Sequence, residues 1–147
     1  MFRTVALLNA IALVLVVSPN ARAQAPVRLS VSGLDYAFQG PDTVSAGPTL
    51  ISLENKGKSR HEIFFVRLKS ASLFADFARA TTPAERQALV DGLPIGVIFA
   101  DTGRRSEGTL SVDLKRGGAY VMVCNIRDAA DKPPHVALGM IKQLHVK

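Results

Sequence analysis

Short segments in which apolar and polar residues alternate dominate this sequence, and they constrain its fold more than any other feature. Residues 27–31 and 49–53 alternate, and residues 62–68 are rich in aromatic and β-branched side chains. A period of two places one apolar face of each segment on a core, as in a half-buried strand. Turn residues such as Gly, Pro and Asn separate the segments. The pattern therefore predicts an all-β chain.

The C-terminal part of the chain repeats this pattern. Further strands are predicted over residues 96–103, 107–124 (two strands joined by a Lys-Arg-Gly-Gly turn) and 139–147. In the strand that ends at Cys124, alternation places Tyr120, Met122 and Cys124 on one face and the intervening valines on the other. Several short strands joined by turns favour a β-sandwich or barrel.

The middle of the chain interrupts the strands with helical signals. Leu73 and Phe77 lie at helical spacing, and a capping box with Pro at the first helical position begins at Thr82. We therefore expect a helical insertion of two short helices over about residues 70–93. We expect it to cover an edge of the sandwich, which open sheets need, or to form a surface for a partner.

The first 23 residues have the organisation of a secretory signal peptide. Arg3 precedes an apolar run, and Ala21-Arg22-Ala23 matches a small-x-small cleavage site. The run is short for a membrane span, and the cleavage site disfavours the alternative of an uncleaved anchor. We expect a single domain of residues 24–147 in the periplasm or secreted, with no membrane span after cleavage.

The charge of the chain bears on its partners. A formal charge of +6 falls to +4 when Arg3 and Arg22 leave with the signal peptide. This modest basic excess is compatible with an acidic partner protein or a membrane surface. The basic residues are scattered without aromatic interleaving, which disfavours nucleic acid.

Cys124 is the only cysteine, so the chain cannot form an internal disulfide. In an oxidising compartment a lone thiol is buried and inert, paired with another chain, or used as a ligand or nucleophile. A ten-residue loop separates Cys124 from His135, and Met140 opens the next predicted strand. If the two strands are neighbours, this loop brings all three side chains to one end of the sandwich.

Thiolate, imidazole and thioether are soft ligands that suit copper. Two His and one Cys with a weak axial Met form the blue-copper arrangement, which requires one more His here. Of the two others, His61 begins a predicted strand directly after a loop, whereas His145 lies well into the last strand. We therefore predict that His61, Cys124, His135 and Met140 bind the metal.

The order of these residues resembles that of the cupredoxin (blue copper) family, which includes plastocyanins and azurins. The segment ENKGKSRHEI resembles the family's Asn-x-Gly before the first His. The segment YVMVCNIRDAADKPPHVALGM resembles its Tyr-x-x-x-Cys, Pro-His and Gly-Met. The likeness covers residues 27–146 apart from the insertion. It implies a cupredoxin-like Greek-key β-sandwich that binds one copper ion through His61, Cys124, His135 and Met140.

The resemblance also implies a function. The chain would be a monomeric one-electron carrier that cycles between Cu(I) and Cu(II) with a redox partner protein, and it would not be an enzyme. In cupredoxins the corresponding His reaches solvent through an apolar patch where partners dock, which implies electron transfer through His135. Two alternatives stay open: a periplasmic copper carrier or chaperone of the same fold, and a metal-free binding module.

Two features depart from the family pattern. The loop from Cys124 to His135 is longer than in plastocyanins and carries several charged residues. Glu62 follows the first His where plastocyanins have Asn, and we expect it to anchor the ligand loop and to favour Cu(II).

Zinc is disfavoured because the set contains a Met and only one Cys. A cysteine hydrolase is disfavoured because no nucleophile motif surrounds Cys124.

Overall fold

The computed structural model describes residues 25–147. The predicted signal peptide and the start of the predicted mature chain lie outside the described residues. Within the described part the strands are β1 (Val27–Leu34), β2 (Ala37–Gln39), β3 (Thr43–Val44), β4 (Gly47–Asn55), β5 (His61–Leu68), β6 (Gly96–Ala100), β7 (Leu110–Leu114), β8 (Ala119–Val123) and β9 (Ile141–Val146). The helices are α1 (Phe74–Arg79) and α2 (Pro83–Leu89), with short 3-10 helices at Ala71–Leu73 and His135–Leu138.

The strands form two sheets that pack face to face. One sheet has the order β2-β1-β4-β7 and the other the order β3-β9-β8-β5-β6. The pairs β1–β4 and β3–β9 are parallel, and the remaining strand pairs are antiparallel. The prediction of an all-β sandwich with a short helical insertion is confirmed. The strands β2 and β3 were not predicted.

The core between the sheets contains the predicted face of β8. Tyr120 and Met122 are 2% and 0% exposed and lie in this core together with Cys124. Val121 and Val123 point to the opposite face and belong to a second apolar cluster. The predicted alternation of β8 is therefore confirmed, and this strand is buried on both faces. Cys124 directly follows this strand, in which every residue is buried.

The helical insertion covers the outer face of the five-stranded sheet. The capping box at Thr82 is formed as predicted, with Pro83 in the first turn of α2. Phe77 of α1 is 2% exposed and packs in the outer cluster with Val121, Val123 and the loop residue Val136. Because β8 is apolar on both faces, its outer face needs a cover. The insertion therefore packs on this sheet face, and its last residues also pair with β5 beyond the end of β6, with Val90 opposite Leu68.

Membrane-spanning helices were searched for among residues 25–147. No helix in this part of the chain combines the length and the apolar character that a bilayer crossing requires.

Candidate metal centre

A buried asparagine folds the loop that leads to His61. The Asn55 side chain donates to the carbonyl oxygens of Ser59 (2.7 Å) and Ala100 (2.9 Å). Its carbonyl oxygen accepts from the backbone N–H of Gly57 (2.9 Å). These contacts satisfy the buried amide and close the loop. The Asn-x-Gly motif therefore fixes His61 at the first position of β5.

Gly57 allows the loop to pass close to the His61 ring. A Cβ atom at position 57 would lie 2.5 Å from His61 Nε2 and 2.8 Å from Asp35 Oδ1. Asp35 in turn accepts a hydrogen bond from the backbone N–H of Lys58 (2.7 Å). Only a residue without a side chain fits between the imidazole and the carboxylate.

The segment from Cys124 to Met140 is called the second ligand loop. Backbone hydrogen bonds fold it against the end of β8. Val136 N–H donates to the Cys124 carbonyl (2.7 Å), and His135 N–H donates to that of Ile126 (2.8 Å). Met140 N–H donates to the His135 carbonyl (2.9 Å). The 3-10 helix His135–Leu138 is followed by Gly139 as its C-cap, whose φ of 106° suits glycine. The loop thus returns the chain from Cys124 to Met140.

The structure brings together three of the four predicted ligands. His61 Nδ1 lies 3.2 Å from His135 Nδ1, and Cys124 Sγ lies 3.4 Å from His135 Nδ1 and 4.0 Å from His61 Nδ1. All three residues are 0% exposed. The ligand atoms lie within 4.8 Å of one another, a grouping that could hold a metal ion.

Met140 lies beside this cluster in the core. It is 0% exposed, and an added Cβ on Gly33 would lie 3.4 Å from Met140 Cε and 3.3 Å from His61 Cδ2. The thioether methyl and the His61 ring therefore border the same small space next to β1. The placement agrees with the prediction, while coordination by Met140 stays a prediction.

The protonation states of the two imidazoles fit a bound cation. His135 Nε2 lies 2.9 Å from an oxygen of the Asp128 carboxylate, a contact that favours the tautomer with the proton on Nε2 and a lone pair on Nδ1. With a proton on Nε2 of His61, two nitrogen lone pairs would face each other across 3.2 Å. With the proton on Nδ1, the buried Nε2 lacks a hydrogen-bond partner among the described residues. A cation between the two Nδ1 atoms removes the lone-pair repulsion.

Burial shifts the pKa values of two candidate ligands. It lowers the pKa of His61, and the neighbouring His135 lowers it further, so His61 is held neutral. Burial raises the pKa of the Cys124 thiol to about 11, against the backbone N–H donors of Glu62 and Ile126, which lower it. The Glu62 N–H lies 3.4 Å from the sulfur. These donors would stabilise a thiolate once a metal displaces the proton.

Glu62 anchors the second ligand loop, as its position after His61 led us to expect. Its side chain is 7% exposed and accepts from the backbone N–H of Asn125 (2.9 Å) and from the Asn125 amide (3.2 Å). Asn125 directly follows Cys124. The two segments that carry His61 and Cys124 are therefore joined by side-chain hydrogen bonds as well as by the sheet.

The outer edge of His135 is closed, and the expectation that it reaches solvent is wrong. His135 is 0% exposed, and Asp128 contacts its Nε2. Tyr36 packs edge-on to the ring, with centroids 5.1 Å apart, and donates its hydroxyl proton to Asp128 (2.6 Å). The hydrogen bonds from Ser59, Tyr36 and His135 lower the pKa of Asp128 to about 2. Neither Tyr36 nor a role for Asp128 was predicted from the sequence.

Comparison with known proteins bears on the fold. No protein-family model matches the sequence, and no curated protein is significantly similar to it. A dithionite-reduced auracyanin from the photosynthetic bacterium Roseiflexus castenholzii is similar in structure, with a TM-score of 0.54 and 18% identity over 84% of this chain and 99% of that one. An azurin from Methylomonas sp. strain J has a TM-score of 0.51 and 16% identity, over 84% and 99%. Auracyanin B has a TM-score of 0.54 and 14% identity, over 84% and 91%.

These likenesses establish the fold. The chain has the cupredoxin fold, and it carries a His-Cys-His cluster consistent with a type 1 copper site. At such low identities the likeness concerns the fold alone. The chemistry of the site therefore rests on the side chains of this chain.

Substitution of Gly57 by Ala is expected to displace the His61 ring. The new methyl group would overlap His61 Nε2 and the Asp35 carboxylate, and overpacking of this kind destabilises by about 1–3 kcal/mol. Chemical denaturation and copper titration measure the two effects. Gly108→Ala is the matched control, because nothing lies within 4 Å of its added methyl group. Equal stability and copper affinity in the two variants would contradict the packing described for Gly57.

Proposed function

We propose that this protein is an exported one-electron carrier that binds a single copper ion through His61, Cys124, His135 and Met140. The observation that carries the proposal is the cluster of His61 Nδ1, Cys124 Sγ and His135 Nδ1, three soft donors within 4.8 Å and fully buried. Two imidazoles and one thiolate with a nearby thioether are the donor set of blue-copper electron-transfer sites. The residues present therefore fit copper.

The copper ion would supply a couple between Cu(I) and Cu(II) at these donors. Residues around the donors would hold them in the same positions with Cu(I) and with Cu(II). Asn55 fixes the loop before His61, and the Glu62 and Ile126 N–H groups donate to the sulfur of Cys124. Cys124 and Met140 also belong to the main core cluster, which excludes water from the donors. A rigid site limits rearrangement when the electron arrives or leaves.

The proposal extends to location and partners. The signal peptide predicted in residues 1–23 supports a periplasmic or secreted protein. A monomer that exchanges electrons with a redox partner protein needs no substrate pocket of its own, and we propose that the chain is not an enzyme. The net positive charge of the mature chain favours an acidic partner.

A copper carrier or chaperone of the same fold is less well supported. A carrier hands its metal to another protein, so its donors need to be reachable by an incoming ligand. Here His61, Cys124 and His135 are all 0% exposed. Full burial of the donors supports metal retention and therefore favours the electron carrier over the copper carrier.

Voltammetry and chelator competition on the copper-loaded protein test the proposal. We expect a reversible one-electron wave and retention of copper in both oxidation states. Release of copper on reduction, with an irreversible wave, would support the copper carrier. Absence of copper binding in either oxidation state would leave a metal-free binding module as the better account.

A further inference from the structure

The carboxylate of Asp128 is the centre of a hydrogen-bond cluster above His135. It accepts from Tyr36 Oη (2.6 Å) and His135 Nε2 (2.9 Å), and the Ser59 hydroxyl also donates to it. These three donors come from the β1–β2 turn, the loop before His61 and the ligand loop itself. Asp128 thus joins three separate segments at the metal end of the sandwich. Its side chain is 32% exposed, whereas that of His135 is 0% exposed.

The turn that carries Tyr36 is strained. Tyr36 has a φ of 62° and is the sole non-glycine residue with positive φ among residues 25–147. A bulky residue in this region costs on the order of 1–3 kcal/mol, and such strain persists where other contacts hold it. The contacts of Tyr36 are the edge-on packing against His135 and the hydrogen bond to Asp128. The preceding residue, Asp35, accepts a hydrogen bond from the backbone N–H of Lys58 in the loop before His61. The same turn therefore contacts both loops: the loop before His61 through Asp35, and the loop that carries Asp128 and His135 through Tyr36.

We propose that Asp128 is a positioning residue of the metal site. Its carboxylate holds the His135 ring so that Nδ1 faces Cys124 and His61, and Tyr36 and Ser59 hold the carboxylate over the outer edge of the ring. This inference deepens the proposed function, on which its copper-dependent part rests. The site is consequently organised before metal binds, and the edge of His135 is closed to solvent.

The contact between Asp128 and His135 also acts in the metal-free protein. A proton held between His135 Nε2 and the Asp128 carboxylate fixes a single tautomer and is shielded from water. In the wild type, nitrogen NMR of the metal-free chain should show His135 protonated at Nε2 alone. Loss of a hydrogen bond to a charged group should speed exchange of this proton about 10- to 100-fold in Asp128→Ala. Asp128→Asn retains an acceptor and should restore part of the protection.

The proposal has a second consequence for copper. A carboxylate bonded to a ligating imidazole raises the basicity of the ligand, which favours Cu(II) over Cu(I). Asp128→Ala and Asp128→Asn should lower Cu(II) affinity about 10- to 100-fold, the usual effect of changing such a partner. Cu(I) affinity should fall less. A tenfold difference between the two losses corresponds to a rise of about 59 mV in the reduction potential.

The experiment compares wild type, Asp128→Ala, Asp128→Asn, Tyr36→Phe and the control Asp131→Asn. Asp131 is an exposed acid on the same loop whose side chain makes no hydrogen bond within the described residues. Nitrogen NMR is recorded without metal, and competition titrations are made with Cu(II) and with Cu(I). Tyr36→Phe keeps the ring packing and should show a smaller change than Asp128→Ala, in the same direction. Asp131→Asn should match wild type.

The two proposals fail in different ways. If no variant binds copper but the NMR changes follow Asp128, the copper function fails and the positioning role in the metal-free protein stands. If copper binds in all variants and Asp128→Ala leaves both the Nε2 proton and the ratio of Cu(II) to Cu(I) affinity as in Asp131→Asn, the positioning role is overturned. A wild-type His135 protonated at Nδ1 would also overturn it.

Discussion

Replacement of Cys124 by Ser is expected to abolish tight Cu(I) binding and to leave the sandwich folded. The thiolate is the softest donor of the site, so its loss should exceed the ~10–100-fold effect of changing a residue outside the ligand set. The backbone N–H groups of Glu62 and Ile126 that point at the sulfur can donate to a serine oxygen. The buried hydroxyl is therefore satisfied, which limits the cost in stability.

Met122→Leu is the matched control for this variant. Met122 lies on the same face of β8, is 0% exposed, and offers the alternative sulfur nearest in sequence. Exchange of Met for Leu conserves volume and costs less than ~1.5 kcal/mol. Competition with a Cu(I) chelator and chemical denaturation should show unchanged copper affinity in Met122→Leu and its loss in Cys124→Ser. Undiminished affinity in Cys124→Ser would exclude Cys124 as a ligand.

Replacement of Phe77 by Ala is expected to have the largest effect on stability. Phe77 is the residue of α1 that is buried, and it packs against the outer face of β8 with Val121, Val123 and Val136. Removal of a buried Phe side chain costs about 3–5 kcal/mol. Chemical denaturation of the metal-free chain measures this loss.

Phe99→Ala serves as the control for Phe77→Ala. Phe99 is 41% exposed on β6, with the Arg60 guanidinium over its ring at 4.9 Å. Its loss should cost less than ~1 kcal/mol, which is the scale of an exposed cation–π contact. A stability loss in Phe77→Ala no larger than that in Phe99→Ala would show that the insertion does not cover the sheet.

The features that could be predicted from the sequence depend on local patterns. Alternation identified β1, β4 and the two faces of β8, and aromatic and β-branched composition identified β5. The capping box at Thr82 identified the start of α2. The order of His61, Cys124, His135 and Met140 along these elements was enough to expect them at one end of the fold. Three of the four now present their ligand atoms to one another.

The features that were missed depend on contacts between distant segments. Strands β2 and β3 have three and two residues, too few to show a period. Tyr36 and Asp128 are 92 positions apart in the sequence, and no spacing rule connects them. The resemblance implied that the edge of His135 reaches solvent through an apolar patch. Ala137 and Leu138 are exposed nearby, but Asp128 closes the edge of the ring itself.

The central claim is that one copper ion binds to the thiolate of Cys124, and an optical titration tests it most directly. Residues 24–147 would be purified without metal and titrated with Cu(II) while the visible spectrum is recorded. We expect an intense charge-transfer band that saturates at one equivalent, stays in Asp131→Asn and disappears in Cys124→Ser. Saturation at one equivalent without a visible band, or a band that persists in Cys124→Ser, would contradict copper–thiolate binding at this site.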